Sequence, residues 1–248
     1  MIFQYSPIMC RIIAVNLPLA PRLRGRFFKG WQNNLSFASP SIRCPTFGSR
    51  RQRRNAIPIE TDPCLPTIAL TFDDGPNPCY TPQVLDVLYH YQVPATFFVV
   101  GEKAEKNEKL IQEMYKSGHE IELHSFSHQD LRTLECLEIQ NEFRKTEEKI
   151  QAIIPEYSAK HFRPPYGKYT EDTENTVGLP MVLWTVDSGD WKSPDTGKII
   201  DTVLNSVQDG GIIIFHDDNE QTVKALEQLI PELKEQEFQF TTVDRLEN

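Results

Sequence analysis

From residue 60 onward the chain alternates between two hydrophobic patterns. Runs of adjacent apolar, β-branched or aromatic residues predict buried strands: TIALTFD at 67–73, ATFFVV at 95–100, HEIEL at 119–123, MVLWTV at 181–186, GIIIF at 211–215 and FQFTTV at 238–243. Between them, apolar residues recur at helical spacing and predict amphipathic helices. These are PQVLDVLYHY at 82–91, EKNEKLIQEMYKSG at 105–118, LECLEIQNEFRKTEEKIQAII at 134–154, GKIIDTVLNSV at 197–207 and QTVKALEQLIPEL at 221–233. Pro82 suits a first helical turn, and Gly118 a C-terminal stop. In the third helix Leu137, Phe143, Ile150 and Ile154 are expected along the buried face. Strands that are apolar throughout, separated by helices, indicate an α/β fold with a parallel sheet covered on its faces.

Polar residues then collect where the strands end, which is where such folds build their sites. TIALTF runs into Asp73-Asp74, HEIEL into HSFSH with His124 and His128, and HF at 161–162 into RPPYG. MVLWTV runs into DSGDW, and GIIIF into His216-Asp217-Asp218. A single Asp or His after a strand is usually a cap or turn residue. Five such strand ends make that reading poor. His124 and His128 stand four apart, so one turn or a tight loop can aim both at one point. Two imidazoles and a carboxylate would make a three-ligand site for Zn²⁺ or a similar cation, with a position left open for water. Such a cation also explains two adjacent aspartates: one binds it, and its charge offsets the repulsion of the other.

Charge divides the chain. Residues 1–59 hold ten Lys or Arg and no acid, which leaves 16 basic and 35 acidic residues for 60–248. The acidic body argues against a nucleic-acid partner. No apolar run approaches the roughly 18 residues of a transmembrane helix. The five cysteines are scattered and form no C-x-x-C pair, which argues against a disulfide framework or a cysteine metal knuckle. Residues 1–59 are set apart as a basic extension. Their composition suits an organelle transit peptide; IIAVNLPLA at 12–20 reads alternatively as a weak signal-peptide core, and a start upstream of the true N-terminus or a disordered tail are the other readings. The compartment follows that choice: secreted, cell envelope or organelle with a targeting segment, cytoplasmic without one.

The motifs TFDDGP, HSFSH, RPPYG, DSGDW and IFH, in that order and spacing, resemble those of the polysaccharide deacetylases, the NodB-homology carbohydrate esterases. The resemblance covers residues 64–248 and implies a deformed (β/α) barrel with parallel strands, a divalent metal, and removal of N-acetyl groups from N-acetylglucosamine-containing glycans such as peptidoglycan or chitooligosaccharide. It implies Asp73 as catalytic base, Asp74, His124 and His128 as metal ligands, and His216 as general acid. Arg163 would orient the base, Asp190 would keep His216 protonated, and Asp187 is a second candidate for that partner. The backbone N–H of Tyr166 would stabilise the oxyanion, and Trp191 and Ile214 would wall the acetyl methyl; ordinary core packing is the alternative for those two. Zn²⁺ is the metal implied, with Co²⁺ or Mn²⁺ as alternatives, and the glycan is the partner, with no nucleic acid and the protein read as a monomer. Four features depart from the family pattern: Glu122-Leu123 precede His124 where Asn is usual, Ile214 stands where Leu is usual, RPPYGKYT lacks the Asn often found downstream, and the segment at 170–180 is short. The alternatives are a metal-dependent amidase of the same fold acting on a non-polymeric amide or formamide, and a weakly active carbohydrate-binding relative.

Overall fold

The computed structural model describes residues 55–246. Six strands, β1 (Thr67–Asp73), β2 (Thr96–Val99), β3 (Glu120–Leu123), β4 (Val186–Asp187), β5 (Ile212–His216) and β6 (Gln239–Thr241), form one sheet. Its order is β3-β2-β1-β5-β4, with β6 also on β1, and every pairing is parallel. β1 is central because both of its faces are covered. Ile68, Leu70 and Phe72 pack outward in the main core, while Ala69 packs inward with Phe98, Val182 and Val243. Each fully buried Ile, Leu, Val or Phe among these is worth about 1.5–3 kcal/mol.

The helices are α1 (Thr81–Tyr91), α2 (Gly101–Lys106), α3 (Glu108–Lys116), α4 (Cys136–Ile153), α5 (Thr173–Val177), α6 (Thr196–Ser206), α7 (Glu220–Glu235) and α8 (Val243–Leu246). The helix expected over 105–118 is broken at Asn107, whose side chain turns back to the carbonyls of Lys103 and Pro76. Gly118 does follow α3, in the left-handed region at φ +83°, directly beneath the backbone of Ile57. FQFTTV contributes three residues of strand and then enters α8, whose Val243 is buried in the inner cluster.

The largest departure from expectation lies at 161–162 and 181–186. Instead of full strands, Leu123 bridges Phe162, Phe162 bridges Met181, and only Val186–Asp187 pairs with β5. These links carry the sheet from β3 round to β5, so the barrel closes through an irregular wall. The reason is visible in the backbone. The carbonyls of Val182 and Leu183 accept from Arg163 Nε (3.1 Å) and Nη2 (2.9 Å). A buried guanidinium has taken the place of a neighbouring strand's N–H groups.

Residues 1–54 of the expected basic extension lie outside the described residues. Ile57, assigned to that extension, is buried and donates its N–H to Ser117 O at 2.9 Å, so the packed body reaches back at least that far. Cys64 and Cys136 are free and exposed, whereas Cys79 is disulfide-bonded. Among the described residues no helix is long and apolar enough to cross a membrane.

Candidate active site

The C-terminal ends of β1, β3 and β5 and the irregular wall open onto one cavity of about 860 Å³. Asp73, Asp74, His124, His128, Tyr166, Asp187, Asp190, Trp191, Ile214 and His216 all line it. Arg163 is the one expected site residue that does not; it lies fully buried beneath the floor.

Asp73 closes β1 and sits beside His216 in the register of β1 with β5. Arg163 Nη1 donates to Asp73 Oδ1 at 2.6 Å and to Thr71 Oγ1 at 2.8 Å. The guanidinium also stacks 4.0 Å from the Phe98 ring centroid. Four hydrogen bonds and an aromatic face therefore hold it, so the Asp73 carboxylate has a counter-ion that cannot swing away.

Asp74 turns out of the strand at φ +68°. Its Oδ1 lies 2.8 Å from His128 Nε2 and 3.3 Å from His124 Nε2, yet this buried oxygen has no hydrogen-bond partner. Burial alone would raise the Asp74 carboxyl; the two imidazoles outweigh it and hold the group well below the usual carboxylate range. His124 Nδ1 stands 2.8 Å from Arg163 O, a carbonyl that can only accept, so Nδ1 donates there and Nε2 is the nitrogen turned toward the cluster. Two imidazole nitrogens and one carboxylate oxygen, all within 4.8 Å of one another, suit a divalent cation.

The loop that carries His128 is set by local chemistry. Ser125 and His128 both have positive φ, at 62° and 59°, and Ser125 Oγ accepts from His128 N–H at 3.0 Å. Glu142 of α4 accepts from the N–H groups of Phe126 and Ser127 at 3.0 and 2.7 Å. Tyr166, at φ +60°, stands edge-on to His128 with ring centroids 4.6 Å apart. Of the six non-glycine residues with positive φ among the described residues, these three and Asp74 lie in the site. Glu122, which precedes the His124 strand end, faces elsewhere and accepts from the N–H groups of Lys160 and His161.

Opposite the cation cluster, His216 Nδ1 contacts Asp190 Oδ1 at 2.8 Å, and His216 N–H donates to Asp190 Oδ2 at 2.7 Å. Thr222 of α7 donates to the same Oδ2 at 2.6 Å. Burial by itself would lower the imidazole; Asp190, with Asp73 and Asp74 further off, overcomes it and pushes His216 up to about 9. Asp187, the second candidate, is engaged otherwise. Its carboxylate accepts from Gly189 N–H at 2.8 Å and from Trp191 Nε1 at 3.3 Å. Trp191 is 61% exposed, so core packing does not describe it, whereas Ile214 is buried in the cavity wall.

Several residues of the site carry no signal in the sequence. Thr71, Thr222 and Glu142 are ordinary polar positions until the fold brings them to Arg163, Asp190 and the histidine loop. Trp184, inside the run expected as a strand, lines the cavity instead.

The profile of the family described as polysaccharide deacetylase matches residues 61–182. The chain is 41% identical to the chitooligosaccharide deacetylase of Sinorhizobium fredii over 189 residues, spanning 70% of this chain and 88% of that one. It is 37% identical to the peptidoglycan-N-acetylglucosamine deacetylase PgdA of Listeria monocytogenes, spanning 72% of this chain and 38% of that longer protein. The solved structure of peptidoglycan deacetylase PdaC from Bacillus subtilis superposes with a TM-score of 0.73 at 37% identity, covering 75% of this chain and 92% of that one. With its parallel (β/α) barrel and a divalent-cation site at the strand ends, the chain belongs to the polysaccharide deacetylase family.

Proposed function

We propose that this protein hydrolyses the acetamide of N-acetylglucosamine residues in a glycan, releasing acetate and leaving a free amine. The observation that carries the reading is the pair of unlike acid–base groups flanking the cation cluster. Asp73 is paired with the Arg163 guanidinium, and His216 with the Asp190 carboxylate, which raises the imidazole above its ordinary value. One group is set to take a proton and the other to give one.

Asp74, His124 and His128 would hold the cation, which we assign as Zn²⁺ from the N,N,O donor set, with Co²⁺ and Mn²⁺ the alternatives such donors accept. When bound, the cation supplies Lewis-acid polarisation of the acetyl carbonyl and of the attacking water. Asp73 accepts a proton from that water as its oxygen bonds to the carbonyl carbon. Arg163 keeps the Asp73 carboxylate aimed at the cavity throughout. The Tyr166 N–H is the backbone donor for the tetrahedral oxyanion. His216 then protonates the sugar nitrogen as the C–N bond breaks, and Asp190 stabilises the imidazolium until that transfer. Trp191 and Ile214 wall the methyl end of the acetyl group.

The test is acetate release by the purified protein from N-acetylchitooligosaccharides and from peptidoglycan. Activity should vanish on chelation and return with added Zn²⁺. Absence of acetate from both glycans, with zinc demonstrably bound, would refute the reading.

A further inference from the structure

We propose that Asp217 is a positioning residue for Asp74, sharing with Lys103 the task of clamping the turn that presents the cation-binding carboxylate. The inference rests on the metal site described above.

Asp217 follows His216 at the end of β5 but points away from the cavity: it is 0% exposed, and it is absent from the cavity lining. Its side chain lies flush against the turn after β1, where a Cβ placed on Gly75 would collide with the carboxylate. Only glycine fits there, so the Asp74–Pro76 backbone is seated directly on Asp217. One carboxylate oxygen accepts from Thr81 Oγ1, and Thr81 Oγ1 in turn accepts from Asn77 N–H at 2.7 Å. The other oxygen, Oδ1, is buried with no hydrogen-bond partner. A fully buried carboxyl group that leaves an oxygen unsatisfied lowers stability, and its close contact with the turn is the interaction that sets against that cost.

From the other side of the turn, Lys103 of α2 donates to Asp74 O at 2.7 Å, and Val100 N–H donates to Gly75 O at 2.9 Å. The turn is therefore gripped between β5 and α2 while Asp74 itself sits at φ +68°, a conformation that needs such support. Asp217 shares its strand end with His216, so the same contact fixes the cation-binding carboxylate relative to the proposed acid.

The experiment measures Zn²⁺ affinity by competition with a chromophoric chelator, alongside thermal unfolding of the metal-free protein. Asp217→Ala, Thr81→Val and Lys103→Met should each weaken zinc binding by roughly 10- to 100-fold, the usual effect of losing support behind a ligand. Turnover should recover to near the unsubstituted level at zinc concentrations that fill the site. Thr81→Ser, which keeps the hydroxyl, should restore affinity. Should Asp217→Ala fail to fold, the Thr81→Val and Thr81→Ser pair decides the matter. Melting temperatures that fall while zinc affinity stays unchanged in Thr81→Val and Lys103→Met would overturn the proposal. Unsubstituted protein that takes up no zinc would instead remove the metal-site reading itself, and this inference with it.

Discussion

In the proposed mechanism the two aspartates at the end of β1, Asp73 and Asp74, have separable duties, and single substitutions distinguish them. Asp73→Asn leaves all three cation donors in place, so zinc content measured by atomic absorption should be unchanged while kcat falls roughly 10²–10⁴-fold. His124→Ala removes a donor and should lose both metal and turnover. If Asp73→Asn loses metal and Asp74→Asn keeps it, the two assignments are exchanged. In the proposed mechanism His216 sets the basic limb of the pH profile. Its folded pKa is raised above the ordinary value of 6.5 to about 9, so its protonated form, and the stability it contributes, is fully present below 6.5 and lost as pH climbs through 9. A bound cation pulls the imidazole down, so the basic limb of kcat/KM is expected between those two values. Asp190→Asn should move that limb to lower pH and leave the acidic limb in place. An unmoved basic limb would remove Asp190 as the partner of His216. Asp187→Ala, by contrast, frees the Trp191 indole and should raise KM for the glycan with little change in the profile.

At the level of elements, the third predicted helix buries Phe143, Ile150 and Ile154 as expected and departs at Leu137 alone. The buried stripe is Ile139, Phe143, Thr146 and Ile150, at successive spacings of four, three and four. Leu137 stands two before Ile139, about 160° round a 3.6-residue helix from it, and is 73% exposed. Ile139→Ala should cost about 2–5 kcal/mol in denaturant unfolding, as large-to-small changes in a packed core do, whereas Leu137→Ala should stay within about 0.5 kcal/mol. Equal losses at both positions would mean that the stripe is misplaced. The same helix also presents Glu142 to the histidine loop, so a packing element doubles as support for the site.

For the molecule as a whole, pH dependence of stability reports on a second polar cluster. Glu120, the first residue of β3, lies beside Glu122, and His161 Nδ1 is 3.9 Å and 3.5 Å from their respective carboxylates. Burial, with the Glu122 charge second, pushes Glu120 up to about 7, against the Thr96 hydroxyl and the Asp244 N–H that hold it down. The native state then keeps a proton that the unfolded chain has already released above about pH 4.5. Stability must therefore fall as pH rises from there to about 7. Glu120→Gln should raise the melting temperature at pH 8 and leave it nearly unchanged at pH 4.5. A lower melting temperature at pH 8 would show that the carboxylate is better compensated than this.

Much of this protein is legible in its sequence for one physical reason: strands buried on both faces must be apolar throughout, and the loops after them can be polar. That rule locates β1, β2, β3 and β5, the helices between them, and the strand ends that deliver Asp73, Asp74, His124, His128 and His216 to one cavity. The irregular wall at 181–187 is not legible, because MVLWTV is as apolar as a strand. What unpairs it is Arg163, whose guanidinium takes the carbonyls of Val182 and Leu183 from far along the chain. The choice of Asp190 over Asp187 as the partner of His216 also belongs to the tertiary structure. Both aspartates follow the same segment, three residues apart, and only the packing of α7, with Thr222 donating to Asp190, decides which carboxylate meets the imidazole. The support given to Asp74 by Asp217, Thr81 and Lys103 has no sequence signature at all. It arises where β5, α1 and α2 converge on a single turn, and separations of that kind are closed by folding alone.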